Sequence, residues 1–162
     1  LITNVPQLTL ALHFADCVGI FFVDPVNRSI GAAHAGWRGT LQGVAARTVE
    51  AMVSQFDTDP ANLLVAIGPS ICRHCFEVGE DVASQFSCAF PFDSALLSQS
   101  GLAKWRVDLK MANRVILLQA GVKDLNIAVA DECTCCNVDE FFSYRRDGAT
   151  GRMGGWISLK PL

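Results

Sequence analysis

LTLALHFADCVGIFFVDPVNRSIGAAHAGWRG, residues 8–39, decides how the chain is read. It holds three strand-length apolar runs, Leu8 to Phe14, Val18 to Val23 and Ser29 to His34. Between the second and third, Asp24-Pro25-Val26-Asn27-Arg28 is turn chemistry, with proline presetting the backbone. The three runs predict strands of one well-covered sheet. Two polar interruptions mark candidate chemistry. Asp16-Cys17 separates the first two runs, and His34-Ala35-Gly36-Trp37-Arg38-Gly39 follows the third.

Outward from this stretch, Thr40 reads as an N-cap. Leu41, Val44, Ala45, Thr48, Val49, Met52, Val53 and Phe56 then recur at helical spacing. Leu63 to Ile67 predicts a strand ended by Gly68-Pro69, and Glu77 to Phe86 a helix with Val78, Val82 and Phe86 on one face. Residues 88 to 105 read as irregular. Asp108 caps a further helix that Gly121 ends. Leu125 to Ala130 and Trp156 to Leu159 predict strands. Strand clusters mixed with helices give an α+β class, with mixed α/β layers.

Composition narrows the function. The chain is 51% hydrophobic and 18% charged, enough for a core. A net charge of −3 gives no electrostatic reason to expect nucleic acid. No apolar run reaches the roughly 18 residues of a membrane span. Seven cysteines without a disulfide framework point to a reduced, cytoplasmic setting. The start at Leu1-Ile2-Thr3-Asn4 lacks an initiator Met and a signal-peptide pattern. The expectation is therefore one domain, residues 1–162, with its N-terminal portion upstream of Leu1.

Cys17 alone is a small hydrophobe, but a carboxylate beside it needs a partner or solvent, which places Asp16-Cys17 at a strand end facing a cleft. His34 precedes glycines that allow close backbone approach and Arg38, whose fork suits phosphate or carboxylate. A strand feeding such a turn and then a helix is a common anion or active site. His13 and Cys17 on one straight strand lie about 13 Å apart, too far to share a metal, so His13 reads as structural. Cys72-x-x-Cys75 with Cys133-x-Cys135-Cys136 raises a structural-zinc reading. Its second half reads as lacking C-x-x-C spacing, so free thiols are expected. A zinc-deaminase signature is not matched either: Ile71, not Pro, precedes Cys72, and His34 does not open an H-x-E. Phe141-Phe142-Ser143-Tyr144-Arg145-Arg146 with Thr150-Gly151-Arg152 reads either as an aromatic edge with a basic face or as a second wall of an anionic pocket.

Together these segments resemble the YfiH/DUF152 family, also called the laccase-domain or polyphenol-oxidase family. The matching pieces are Thr3-Asn4, Ala15-Asp16-Cys17, His34-Ala35-Gly36-Trp37-Arg38-Gly39, Ile67-Gly68-Pro69-Ser70-Ile71, Phe76-Glu77-Val78-Gly79, Asp131-x-Cys133-Thr134, and the C-terminal aromatic–arginine run. They span nearly the whole chain in the family's order. Phe76 stands where the family often has Tyr.

The resemblance implies mixed β-sheets flanked by helices, a fold shared with a deamidating toxin domain. It also implies a zinc site of two His and one Cys, with copper as a substitute metal. Cys17 and His34 match two of the ligands, and the third is a His upstream of Leu1. The implied activity is phosphorolysis of purine nucleosides (adenosine, inosine, guanosine, methylthioadenosine) with phosphate, and deamination of adenosine. Arg38 is the candidate phosphate or ribose contact, with Arg146 second, and Asp16 the candidate to orient a ligand or relay a proton. A cysteine hydrolase or amidase using Cys17 and His34, a copper-dependent polyphenol oxidase, and a non-enzymatic metal- or nucleotide-binding module are the alternatives. Three histidines cannot furnish the copper sites of a multicopper laccase.

Overall fold

Val18–Asp24 (β3) and Ser29–Ala35 (β4) pair antiparallel across the Asp24–Arg28 turn in the computed structural model, which describes residues 1–161. Asp24 builds that turn. Its Oδ1 accepts from the amides of Val26 at 2.9 Å and Asn27 at 3.0 Å, and its Oδ2 from Asn27 Nδ2 at 3.0 Å. Burial opposes its ionisation, yet these donors hold the carboxyl below its ordinary pKa.

Ile2–Thr3 (β1) borders β4, and Leu64–Ile67 (β5) borders β3, both antiparallel. Ile127–Val129 (β9) adds to β5 in parallel. The result is a five-stranded sheet in the order β1-β4-β3-β5-β9. Strand alternation gives it two faces. Val18, Ile20, Phe22, Ala33 and Ala35 face the helices, among Val49, Met52 and Leu117. Ile30 and Ala32 face the other way, onto Leu10, Leu12 and Phe14.

Those last three lie on Thr9–Phe14 (β2), and here the structure departs from the expectation of one sheet. β2 pairs instead with Met153–Ser158 (β10) in a separate two-stranded ribbon. The physical reason is Asp16, whose φ of 82° turns the chain between β2 and β3 and stacks the ribbon on the sheet.

The helix expected from Thr40 is two helices. Trp37–Leu41 (α1) and Val44–Phe56 (α2) meet at Gly43, which has φ 69°. Thr40 is inside α1 and buried, where its Oγ1 accepts from Asn113 Nδ2 at 3.0 Å. Glu77–Gly79 (β6) is a strand that precedes Glu80–Ala89 (α3), so Val78 is not on a helix face. The stretch read as irregular contains a hairpin, Leu97–Gly101 (β7) and Lys104–Val107 (β8), and with β6 it forms a sheet ordered β6-β8-β7. Asp108 does cap the helix at Leu109–Gln119 (α4), accepting from the Met111 amide at 2.9 Å. Tyr144–Asp147 (α5) is a single turn. Among the described residues no helix is long and apolar enough to cross a membrane.

Candidate functional site

The β3–β4 register brings Cys17 and His34 together. Gly19 lies opposite His34 and Val18 opposite Ala35, so one step further sets Cys17 against Gly36. A Cβ on Gly36 would meet Cys17 Sγ at 3.0 Å. Side chains two apart on a strand share a face. Cys17 is thus the diagonal neighbour of His34, with Cβ atoms within about 7–8 Å. His34 is exposed while its strand neighbours are buried. Gly19 shapes the floor: a Cβ there would lie 2.8 Å from the Phe14 ring. That ring sits edge-on to the His34 imidazole, with centroids 6.5 Å apart and planes at 77°.

Asp16 is buried, and each of its oxygens has a donor. Oδ1 accepts from Thr134 Oγ1 at 2.7 Å and Oδ2 from the Arg145 amide at 2.7 Å, while its carbonyl accepts from the Ile71 amide at 3.0 Å. These contacts hold its left-handed backbone. Burial pushes the Cys17 thiol above its ordinary pKa, the Asp16 carboxylate adds to this, and the Arg152 guanidinium opposes it.

Arg38 is exposed, and its guanidinium carbon lies 4.2 Å from the centroid of the Trp37 ring. Among the described residues it forms no ion pair. The α1 that follows Gly36 has only five residues, so its dipole adds little to anion binding. Arg146, read from sequence as a second substrate contact, is turned inward. Its NH1 donates to the carbonyls of Thr134 and Cys135 at 3.1 Å and its NH2 to that of Phe141 at 2.9 Å. Nε and NH2 grip Asp147, each at 2.8 Å. Arg152, which the sequence offered within Thr150-Gly151-Arg152 as part of a possible second wall but not as a substrate contact, acts electrostatically on Cys17. Pairing of β10 with β2 returns it to the Cys17 end of the sheet. His13 lies opposite Gly154 on the exposed side of the ribbon, alternating with buried Leu12 and Phe14.

The second cysteine group is not a set of scattered thiols. Sγ atoms of Cys72, Cys75, Cys133 and Cys136 all lie within 4.8 Å of one another, placed to hold a metal ion. Cys133 and Cys136 are themselves a C-x-x-C pair, and the signal was hidden by reading Cys135 as part of it. Burial would raise the Cys133 pKa, but the amides and thiols of Cys72 and Cys136 outweigh it and bring the pKa to about 7. Burial and the thiols of Cys136 and Cys72 drive Cys75 upward. Among the described residues no other group gathers three or more His, Cys, Asp or Glu ligand atoms in this way. At the Cys17–His34 rim, two donors of types that zinc accepts, with the thiol accommodated against Gly36, fit part of a zinc ligand set.

Comparison with known proteins finds relatives along nearly the whole chain. A purine nucleoside phosphorylase, YlmD, of Geobacillus stearothermophilus is 42% identical over 162 residues, covering 99% of this chain and 59% of that protein. An adenosine deaminase, RL5, from an unknown prokaryotic organism is 38% identical over 149 residues, covering 91% of this chain and 56% of that protein. The crystal structure of the Bacillus licheniformis hypothetical protein YfiH superposes with a TM-score of 0.94 at 39% identity, covering 98% of this chain and 60% of that one. The chain thus spans somewhat over half the length of these relatives. Residues 1–160 match the profile of the family described as multi-copper polyphenol oxidoreductase laccase, and the chain belongs to that family.

Proposed function

We propose that the Cys17–His34 rim is part of a zinc-dependent active site acting on purine nucleosides, by phosphorolysis and by deamination of adenosine. The observation that carries the reading is the diagonal placement of thiol and imidazole on one face of the sheet, beside Gly36. Relatives named purine nucleoside phosphorylase and adenosine deaminase support it. The third ligand in this reading is a histidine from outside residues 1–162. Bound there, zinc supplies Lewis acidity.

The chain's own residues do the remaining work. Arg38, exposed and without a carboxylate partner among the described residues, binds phosphate or the ribose hydroxyls. Arg152 adds positive charge at the Cys17 end. Asp16 is a positioning residue, because both of its oxygens already accept hydrogen bonds. Arg146 supports the site from behind, with its donors taken by backbone carbonyls and Asp147. Phe14 covers one side of the imidazole.

The test is metal analysis with product chromatography on adenosine and inosine, with and without phosphate, in the full protein that carries this chain. Phosphate-dependent release of free base, lost on chelation, is the expected result. Base release that ignores phosphate and chelator overturns it. The second reading is a cysteine hydrolase with Cys17 as nucleophile and His34 as base, favoured by the same proximity. The raised Cys17 pKa weighs against a standing thiolate. Thiol alkylation abolishing turnover in the absence of metal would favour this second reading.

A further inference from the structure

We propose that Cys72, Cys75, Cys133 and Cys136 form a tetrathiolate site for a thiophilic divalent cation, zinc by its chemistry, separate from the Cys17–His34 rim. The two C-x-x-C pairs stand on two turns. In the first, the amides of Cys75 and Phe76 donate to the Cys72 carbonyl at 3.1 and 3.0 Å. In the second, the Asn137 amide donates to the Cys133 carbonyl at 3.0 Å. An isolated parallel bridge, Ser70 to Cys133, lays the turns side by side, and the Thr134 amide donates to the Ser70 carbonyl at 3.2 Å. Sequence separation across the contact is 61 residues.

The sulfur geometry matches one small ion. A tetrahedral zinc with bonds of about 2.3 Å sets its sulfur atoms about 3.8 Å apart. Here all four sulfurs lie within 4.8 Å, and Cys75 Sγ and Cys136 Sγ are 3.4 Å apart. The Cys72 amide also donates to Cys133 Sγ at 3.2 Å, a contact that strengthens when sulfur carries charge. Four thiolates exclude hard ions such as magnesium and calcium. They also leave no open position, which makes the site structural rather than catalytic. Cys136 is exposed, so an ion has a way in.

The knot would hold the groups that hold Asp16. Thr134, between Cys133 and Cys136, donates to Asp16 Oδ1. Arg145, whose amide donates to Asp16 Oδ2, reaches back with NH1 to the carbonyls of Cys75 at 3.0 Å and Glu77 at 2.8 Å. Any effect on turnover rests on the proposed function of Cys17 and His34, whereas metal binding at the four thiols does not.

The experiment measures bound metal in the reduced full protein, and follows Co2+ uptake by its thiolate charge-transfer absorption. Cys17→Ala removes a rim ligand; it is expected to keep one tightly bound zinc and the Co2+–thiolate band, with thermal stability that falls on chelation. Cys17→Ala with Cys136→Ser is expected to lose that zinc affinity by at least 100-fold and to lose the band's four-sulfur intensity. Because Cys136 is exposed, its serine variant keeps the fold. A Cys17→Ala protein that binds no zinc and gives no Co2+–thiolate band overturns the proposal. So does mass spectrometry showing the four cysteines paired as disulfides in the freshly purified protein. Nucleoside turnover that survives Cys17→Ala, with this metal retained, would sink the proposed function alone.

Discussion

Cys17 stands beside an exposed imidazole at the open end of the central sheet, whereas Cys72, Cys75, Cys133 and Cys136 face one another across two turns. Both regions offer soft donors, but they differ in closure. The rim presents two donors, one of them on an exposed imidazole, with the Cys17 thiol packed close against Gly36. The knot presents four like donors and no vacancy. Ligand sets of the first kind suit chemistry and those of the second suit scaffolding. Asp16 connects the two, since its carboxylate takes a hydrogen bond from within the second turn and its neighbour is Cys17.

Rim substitutions carry the largest expected effect. Cys17→Ala and His34→Ala should each lower nucleoside turnover by more than the roughly 10- to 100-fold that outer-shell changes cost. Thermal midpoint should move little, because His34 is exposed and Cys17 only half-buried. Steady-state assays beside thermal melts check this, and retained turnover would erase the distinction between the two regions.

Asp16→Asn comes next and cuts the connection while tolerating the left-handed backbone. It should reduce turnover by roughly 10- to 100-fold. Asp16→Ala should in addition lose about 3 kcal/mol of stability, since it orphans two donors at a positive φ. Denaturant unfolding of the pair separates charge from fold.

Gly19→Ala tests the rim's floor. A new Cβ 2.8 Å from the Phe14 ring should displace that ring and its edge contact with His34, at about 1–3 kcal/mol. Activity should fall more than the stability change explains.

Asp24→Ala is the control outside both regions. It removes charged hydrogen bonds to Val26 and Asn27 and should cost about 2 kcal/mol with kcat unchanged. The folded carboxyl is depressed, so its contribution is present above the unfolded pKa near 3.9 and lost as pH falls through the lower folded value. Wild type and variant should converge in stability in acid. Smallest of all, Arg114→Ala breaks an ion pair to Asp124, in which the side chains are 32% and 56% exposed, and should cost under about 1 kcal/mol.

The α+β class, strands β3 and β4, their turn and the α4 cap were legible because each rests on local signals: apolar runs, Pro25 and Asp108. Apolar runs do not announce their partners, so β2 was placed in the wrong sheet although its own residues were read as a strand. The β7–β8 hairpin escaped because LSQSG and KWRV bury little beyond Val107, leaving no alternation to see. Arg146 read as a substrate contact because an arginine's donors look free until the carbonyls around it are known.

The candidate thiol and imidazole of the rim were legible within one short stretch, since Cys17 abuts β3 and His34 lies on β4, strands joined by one short turn whose register local pairing fixes. Family, class and candidate ligands followed from that stretch and its matching motifs. Convergence over 61 residues belongs to tertiary structure. Nothing local to Cys72 or Cys136 states that their turns meet, and the Ser70–Cys133 bridge and the stacked sheets bring them together. The same folding turned Arg146 inward and returned Arg152 to Cys17. Packing of distant segments selects which polar groups satisfy one another and which remain open for a ligand.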